Sequence, residues 1–144
     1  MNMDKDLEFL NYIYQNAEMG KSTLNQLISI VKEASFKQTL ESQRKEYNEI
    51  FDIASHKIEE AKKTSKGIAS YTKLTTYLMI NFNTLINKTP SHIAEMIIQG
   101  STMGIIDVTK RLKDYKQANQ DISSLAEMLL TFEQQNVEEM KKFL

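Results

Sequence analysis

Cysteine is absent from the 144-residue chain, which excludes disulfides, thiolate chemistry, cysteine-ligated zinc and cysteine-ligated iron–sulfur clusters. Glycine occurs four times and proline once, too seldom for a loop-rich or disordered chain. Neither sign of charge dominates, with 18 basic residues against 19 acidic ones. The attraction that draws a protein to nucleic acid or to an anionic membrane is therefore missing, and neither is expected as a partner. No apolar run approaches the length that spans a bilayer. The opening MNMDKDLEFL is acidic and quickly amphipathic, unlike a secretory leader. A cytoplasmic location is the expectation. Two histidines give little from which to build catalysis, and no glycine-rich phosphate loop or nucleophile–His–acid set is visible.

What the chain does have is apolar residues at helical spacing along most of its length, in one domain spanning residues 1–144. A first helix is predicted from about Asp4 to Glu33. Leu10, Tyr14, Ala17, Leu24, Ile28 and Val31 form its inward stripe, Lys21 lies on it and Glu18 at its margin. Gly20 is an interior glycine, which a close helix contact or a slight bend would explain. After a very tight turn, Ser35 is placed to cap a second helix, Phe36 to Lys63. Its inward face reads Phe36, Leu40, Tyr47, Phe51, Ala54, Ile58 and Ala61, with Arg44 among them. So short a turn makes the two helices antiparallel neighbours. A polar break around Gly67 leads to an apolar segment, Tyr71 to Ile86. A lone strand there would have no partner, so it is read as a helix long enough to cross the bundle. Thr89 and Pro90 then suit a cap and a first helical residue.

The last two helices, Thr89 to Tyr115 and Asp121 to Leu144, carry the strongest periodicity, and both set polar residues into their apolar stripes. The third has Ile93, Met96, Ile97, Gly100, Gly104, Val108 and Tyr115 with Asp107 and Arg111 inside the stripe. The fourth, capped by Asp121, has Ile122, Leu125, Ala126, Leu129, Val137, Met140 and Phe143 with Glu133 and Asn136 inside it. The eight methionines are read as fillers of core gaps. Asp52 and His56, one turn apart on an outward face, read as a solvated pair, and His92 as local structure at a helix start.

The stretches SHIAEMIIQGSTMGIIDVTKRLKDY (Ser91 to Tyr115) and LLTFEQQNVEEMKKFL (Leu129 to Leu144) resemble an uncharacterised bacterial branch of the ferritin-like superfamily. The resemblance implies an all-α, ferritin-like four-helix bundle: two antiparallel helix pairs, with a helical crossover between helices two and three. Metal-binding members carry a Glu on each of two helices and a Glu-x-x-His on each of the other two. Here the fourth helix offers Glu133-Gln-Gln-Asn136, with Asn where the pattern has His, and the second offers Glu46-Tyr-Asn-Glu49, facing outward. Cationic Lys21, Arg44 and Arg111 share the inward stripes. No cofactor and no metal are expected, and the polar residues Lys21, Arg44, Asp107, Arg111, Glu133 and Asn136 are expected to form an interior network, because buried charge needs partners.

The functional expectation is a non-enzymatic structural or protein-interaction module with a lost di-metal site. Two alternatives stand beside it: a divergent iron-binding or oxidoreductase member using Glu18, Asp107, Glu133 and Asn136, and a binder of small anions that uses Arg44 and Arg111 between helices. A second apolar row on the third helix (Ala94, Ile98, Ile105, Leu112) predicts either a central helix or a homodimer interface.

Overall fold

The computed structural model of the chain describes residues 3–64, 86–115 and 119–144, and the regular structure among them is entirely α-helical. Four helices follow in order: α1 (Met3–Ile30), α2 (Ala34–Thr64), α3 (Pro90–Tyr115) and α4 (Gln120–Lys141). None of them is long and apolar enough to cross a membrane. The expected crossover helix, Tyr71 to Ile86, lies outside the described residues except for its last residue.

The helix ends show local chemistry at work. The Thr89 hydroxyl accepts from the His92 backbone N–H at 3.3 Å, with Pro90 opening the first turn of α3. Upstream, the Asn87 side-chain oxygen accepts from the Thr89 backbone and hydroxyl, at 3.1 and 2.7 Å, which fixes the chain's entry into α3. The cap of α4 is Asn119 rather than Asp121. Its side-chain oxygen accepts from the N–H groups of Asp121 and Ile122 at 3.0 and 3.3 Å. Asp121 stands inside the first turn, where its charge meets the positive end of the macrodipole. Ser35 does not cap α2 either. The Lys37 N–H already bonds the Glu33 carbonyl at 3.0 Å, so Ser35 is within the helix. α4 stops at Lys141, short of Leu144, with its final carbonyls met by i→i−3 bonds from Lys142, Phe143 and Leu144.

One apolar core runs through all four helices. The inward stripes place Leu10, Ala17, Leu24, Phe36, Leu40, Ala54, Ile93, Val108, Leu125, Leu129 and Met140 among its buried members. The widest buried arc is on the first half of α1, where Asp6, Leu7 and Phe9 to Ile13 are all buried. That arc arises because α1 touches α2, α3 and α4 in turn. Of the second apolar row on α3, Ile98, Ile105 and Leu112 are half-buried. Ala94 is fully buried within the chain and so cannot belong to a surface row.

α1 packs most extensively on α2, and α3 on α4. Tyr14 meets Phe51, Lys21 meets Asn48 and Asn25 meets Arg44, so residue numbers rise along α1 as they fall along α2. Between the halves, Phe36 meets Phe143, Gln43 meets Glu139 and Tyr47 meets Glu133. At one end, the Tyr115 hydroxyl donates to the buried Asp6 carboxyl, and its ring packs edge-on against Phe9 at 4.9 Å. Tyr115→Phe leaves Asp6 buried without that donor. It is expected to cost about 1.5 kcal/mol, read as a shift of the urea unfolding midpoint with an unchanged slope.

Candidate functional site

The centre of the bundle is polar, and its focus is a single carboxyl. Glu133 is only 2% exposed, and it comes from a turn of α4 otherwise buried through Leu129 and Phe132. The Tyr47 hydroxyl of α2 donates to its Oε2 at 3.4 Å. Tyr47 in turn stands edge-on to Phe132, with ring centroids 4.6 Å apart. Asn136, one turn further along α4, is 1% exposed. From α1, the Asn16 amide donates to the Tyr12 hydroxyl at 3.4 Å, with both residues buried. Ser101 supplies a buried hydroxyl from α3.

Two glycines make this arrangement possible. A Cβ on Gly104 would stand 2.5 Å from Glu133 Oε2, and one on Gly20 would stand 2.6 Å from Tyr47 Cζ. Both lie well inside van der Waals contact. A side chain at either place would force its neighbour to shift, so the glycines let α3 rest on the carboxyl and α1 on the phenol. The reading of Gly20 as a close helix contact is thus met by a named ring.

Burial dominates the electrostatics. It pushes the Glu133 carboxyl up to about 8; Asp107 raises it further, while Tyr47 and Asn16 draw it back. The carboxyl is therefore mostly protonated at neutral pH. Burial and the neighbouring Glu133 likewise raise Tyr47 far above the ordinary phenol range, so it stays a neutral donor. Tyr12 is raised by burial as well.

Of the residues expected in an interior network, Glu133 and Asn136 are at its heart, and Asp107 is half-buried and acts on the Glu133 carboxyl through its charge. Two of the cations lie at the helix edge, and the third, half-buried Arg111, stays beside the polar centre. Lys21 Nζ reaches Asn48 at 3.3 Å and lies 4.2 Å above the Phe51 ring, on the α1–α2 edge. Arg44 bonds Asn25 at 2.8 Å, also at an exposed position. Arg111 stacks its guanidinium 4.0 Å from the Tyr12 ring centroid. For Lys21 and Arg44 the long stems follow the apolar stripe while the charged heads reach the helix edge. Arg44 and Arg111 thus make separate contacts, with Asn25 and with the Tyr12 ring.

Nor does the donor set fit a pair of metals. Glu18 is exposed, His56 is exposed, and His92 stands at the start of α3. Among the described residues no three His, Asp or Glu side chains converge as a metal-holding group. Glu133 and Asp107 bring two carboxyls, Asn136 an amide and Tyr47 a phenol, with no imidazole among them.

Sequence reasoning missed Tyr12, Asn16, Gln43 and Ser101, and took Tyr47 for plain core. One signal for Tyr47 was present: an interior glycine on α1 implies something bulky opposite. Asn16, between Tyr12 and Gly20 at spacings of four, lies on that same face. Comparisons with family models, curated proteins and solved structures found no match to this chain.

Proposed function

We propose that the chain is a non-enzymatic ferritin-like bundle in which a neutral polar core occupies the di-metal position, and that it works as a structural or protein-interaction module. The observation that carries this reading is the closure of Glu133 between Gly104 and Tyr47. Carboxyl, phenol and glycine fill the place where a metal pair and its open coordination positions would have to sit. The topology is supported by the order of contacts. α2 meets α1 and α4 with numbers running in opposite senses, and α1 meets α3 in the same way through Asp6–Tyr115 and Tyr12–Arg111. Those senses support a parallel α2 and α3, the arrangement of a bundle whose halves are joined by a crossover.

A second copy of the chain is the partner this reading favours, associated through α3. Support comes from Met103 and Ile106, which are 40% and 49% exposed beside half-buried Ile105.

Anaerobic loading with ferrous iron tests the central claim. The protein is expected to retain no stoichiometric iron after desalting, by mass spectrometry, and to melt at an unchanged temperature. About two iron atoms retained per chain, the content of a di-iron site, would overturn it in favour of the divergent metal-binding alternative.

A further inference from the structure

The polar core does not end at Glu133. Two hydrogen-bonded rungs cross from α2 to α4: Tyr47 to Glu133 at 3.4 Å, and Gln43 to Glu139 at 3.3 Å. Gln43 and Tyr47 are one turn apart on α2, and Asn136 sits midway between Glu133 and Glu139 on α4, so it projects between the rungs. Four buried polar atoms belong to this stretch: Glu133 Oε1, both side-chain atoms of Asn136, and Gln43 Oε1. None of the four has a well-formed hydrogen bond among the described residues; Asn136 meets Tyr47, and Asn16 meets Glu133, only as looser contacts. Such a run of buried donors and acceptors is costly in a dry interior, and internal water is what ordinarily meets it. The outer rung opens to the surface. Half-buried Glu139 lines an open groove together with Glu46 and Glu138.

We propose that the α2–α4 seam is a binding site for a short file of water molecules, held by Gln43 and Asn136, which joins the Glu133 carboxyl to solvent at Glu139. Asn136 offers both a donor and an acceptor, so it can hold one water on each side without itself changing protonation. The carboxyl then exchanges its proton along the file: Oε1 releases one proton to the adjoining water as it accepts another, with no net change. The bundle need not open for this to happen. The inference stands whether or not the chain is ferritin-like, because it rests on the seam alone.

The test is deuterium exchange of the Glu133 carboxyl in the intact protein at pH 6, followed by the infrared shift of its protonated C=O band. Loss of that band in Glu133→Gln assigns it. The carboxyl is expected to exchange at least about a hundredfold faster in the wild type than in the double variant Gln43→Leu, Asn136→Leu, whose apolar seam leaves opening of the core as the route. Equal rates in the two folded proteins overturn the proposal, since the proton then travels elsewhere. If the double variant does not fold, Asn136→Leu alone takes its place in the comparison.

Discussion

Glu133→Gln is expected to stabilise the protein at neutral and alkaline pH and to remove a fall in stability that the wild type shows as pH rises. The sign follows from linkage. The Glu133 carboxyl lies at about 8 in the folded protein against an ordinary 4.5. Between those values the folded state holds a proton that the unfolded chain has released. Stability contributed by that proton is full below pH 4.5 and is lost as pH rises, with a limiting slope of about 1.4 kcal/mol per pH unit, until the folded carboxyl ionises near pH 8. The accumulated penalty is on the order of a few kcal/mol. Glutamine keeps the shape and can accept from Tyr47, but it has no proton to lose. The groups acting on Glu133 are Tyr47 from α2, Asn16 and Tyr12 from α1 and Asp107 from α3. Of the three that titrate, burial holds Tyr47 and Tyr12 neutral throughout this window, and Asp107 is common to both proteins. The difference between variant and wild-type unfolding free energies, measured by urea titration from pH 4.5 to 8.5, isolates the one carboxyl. It should be smallest at the acid end and grow steadily upward. Parallel curves would show that Glu133 is already ionised and hydrated, and the neutral core would be wrong.

That neutral core also explains which parts of the molecule were legible beforehand. Helical period is a property of neighbours along the chain, so the stripes of Leu10, Ala17, Leu40, Ala54, Val108 and Leu129 were readable and are buried. Glu133 and Asn136 were readable as inward for the same reason. The partners of a polar residue depend on which helices face it and at what height, and no local pattern carries that. Lys21 and Arg44 share inward positions with Tyr47, yet their stems carry the charges to Asn48 and Asn25 at the helix edge. A stripe shows direction at Cβ and says nothing of where a long side chain ends. Caps failed for a smaller reason. Asn119 and Asp121 are both good caps, and only backbone geometry, extended at Asn119, decides between them.

Gly20→Ala is expected to lower stability by about 2–3 kcal/mol, the upper part of the range for overpacked cores. At roughly 3 °C per kcal/mol for a domain of this size, the melting temperature should fall by about 6–9 °C. The added methyl would stand within 2.7 Å of Tyr47 Cε1, Cε2 and Cζ together, so no small rotation of the ring relieves all three contacts. The ring cannot slide along its own axis either. Its hydroxyl is engaged by Glu133, and Phe132 stands edge-on at its side. Movement of Tyr47 therefore has to be passed to α4 through the same carboxyl that rests on Gly104. In an exposed helix the same substitution would gain about 1 kcal/mol from propensity, and this supplies the decisive control. With Tyr47→Leu already in place the obstruction is gone, and Gly20→Ala should become neutral or stabilising. A double-mutant cycle by thermal and urea unfolding measures the reversal. If Gly20→Ala destabilises equally in both backgrounds, the glycine serves the bend of α1 rather than its approach to Tyr47. If it stabilises the wild type, the contact is looser than the fold places it, and Glu133 is not held closed by the phenol.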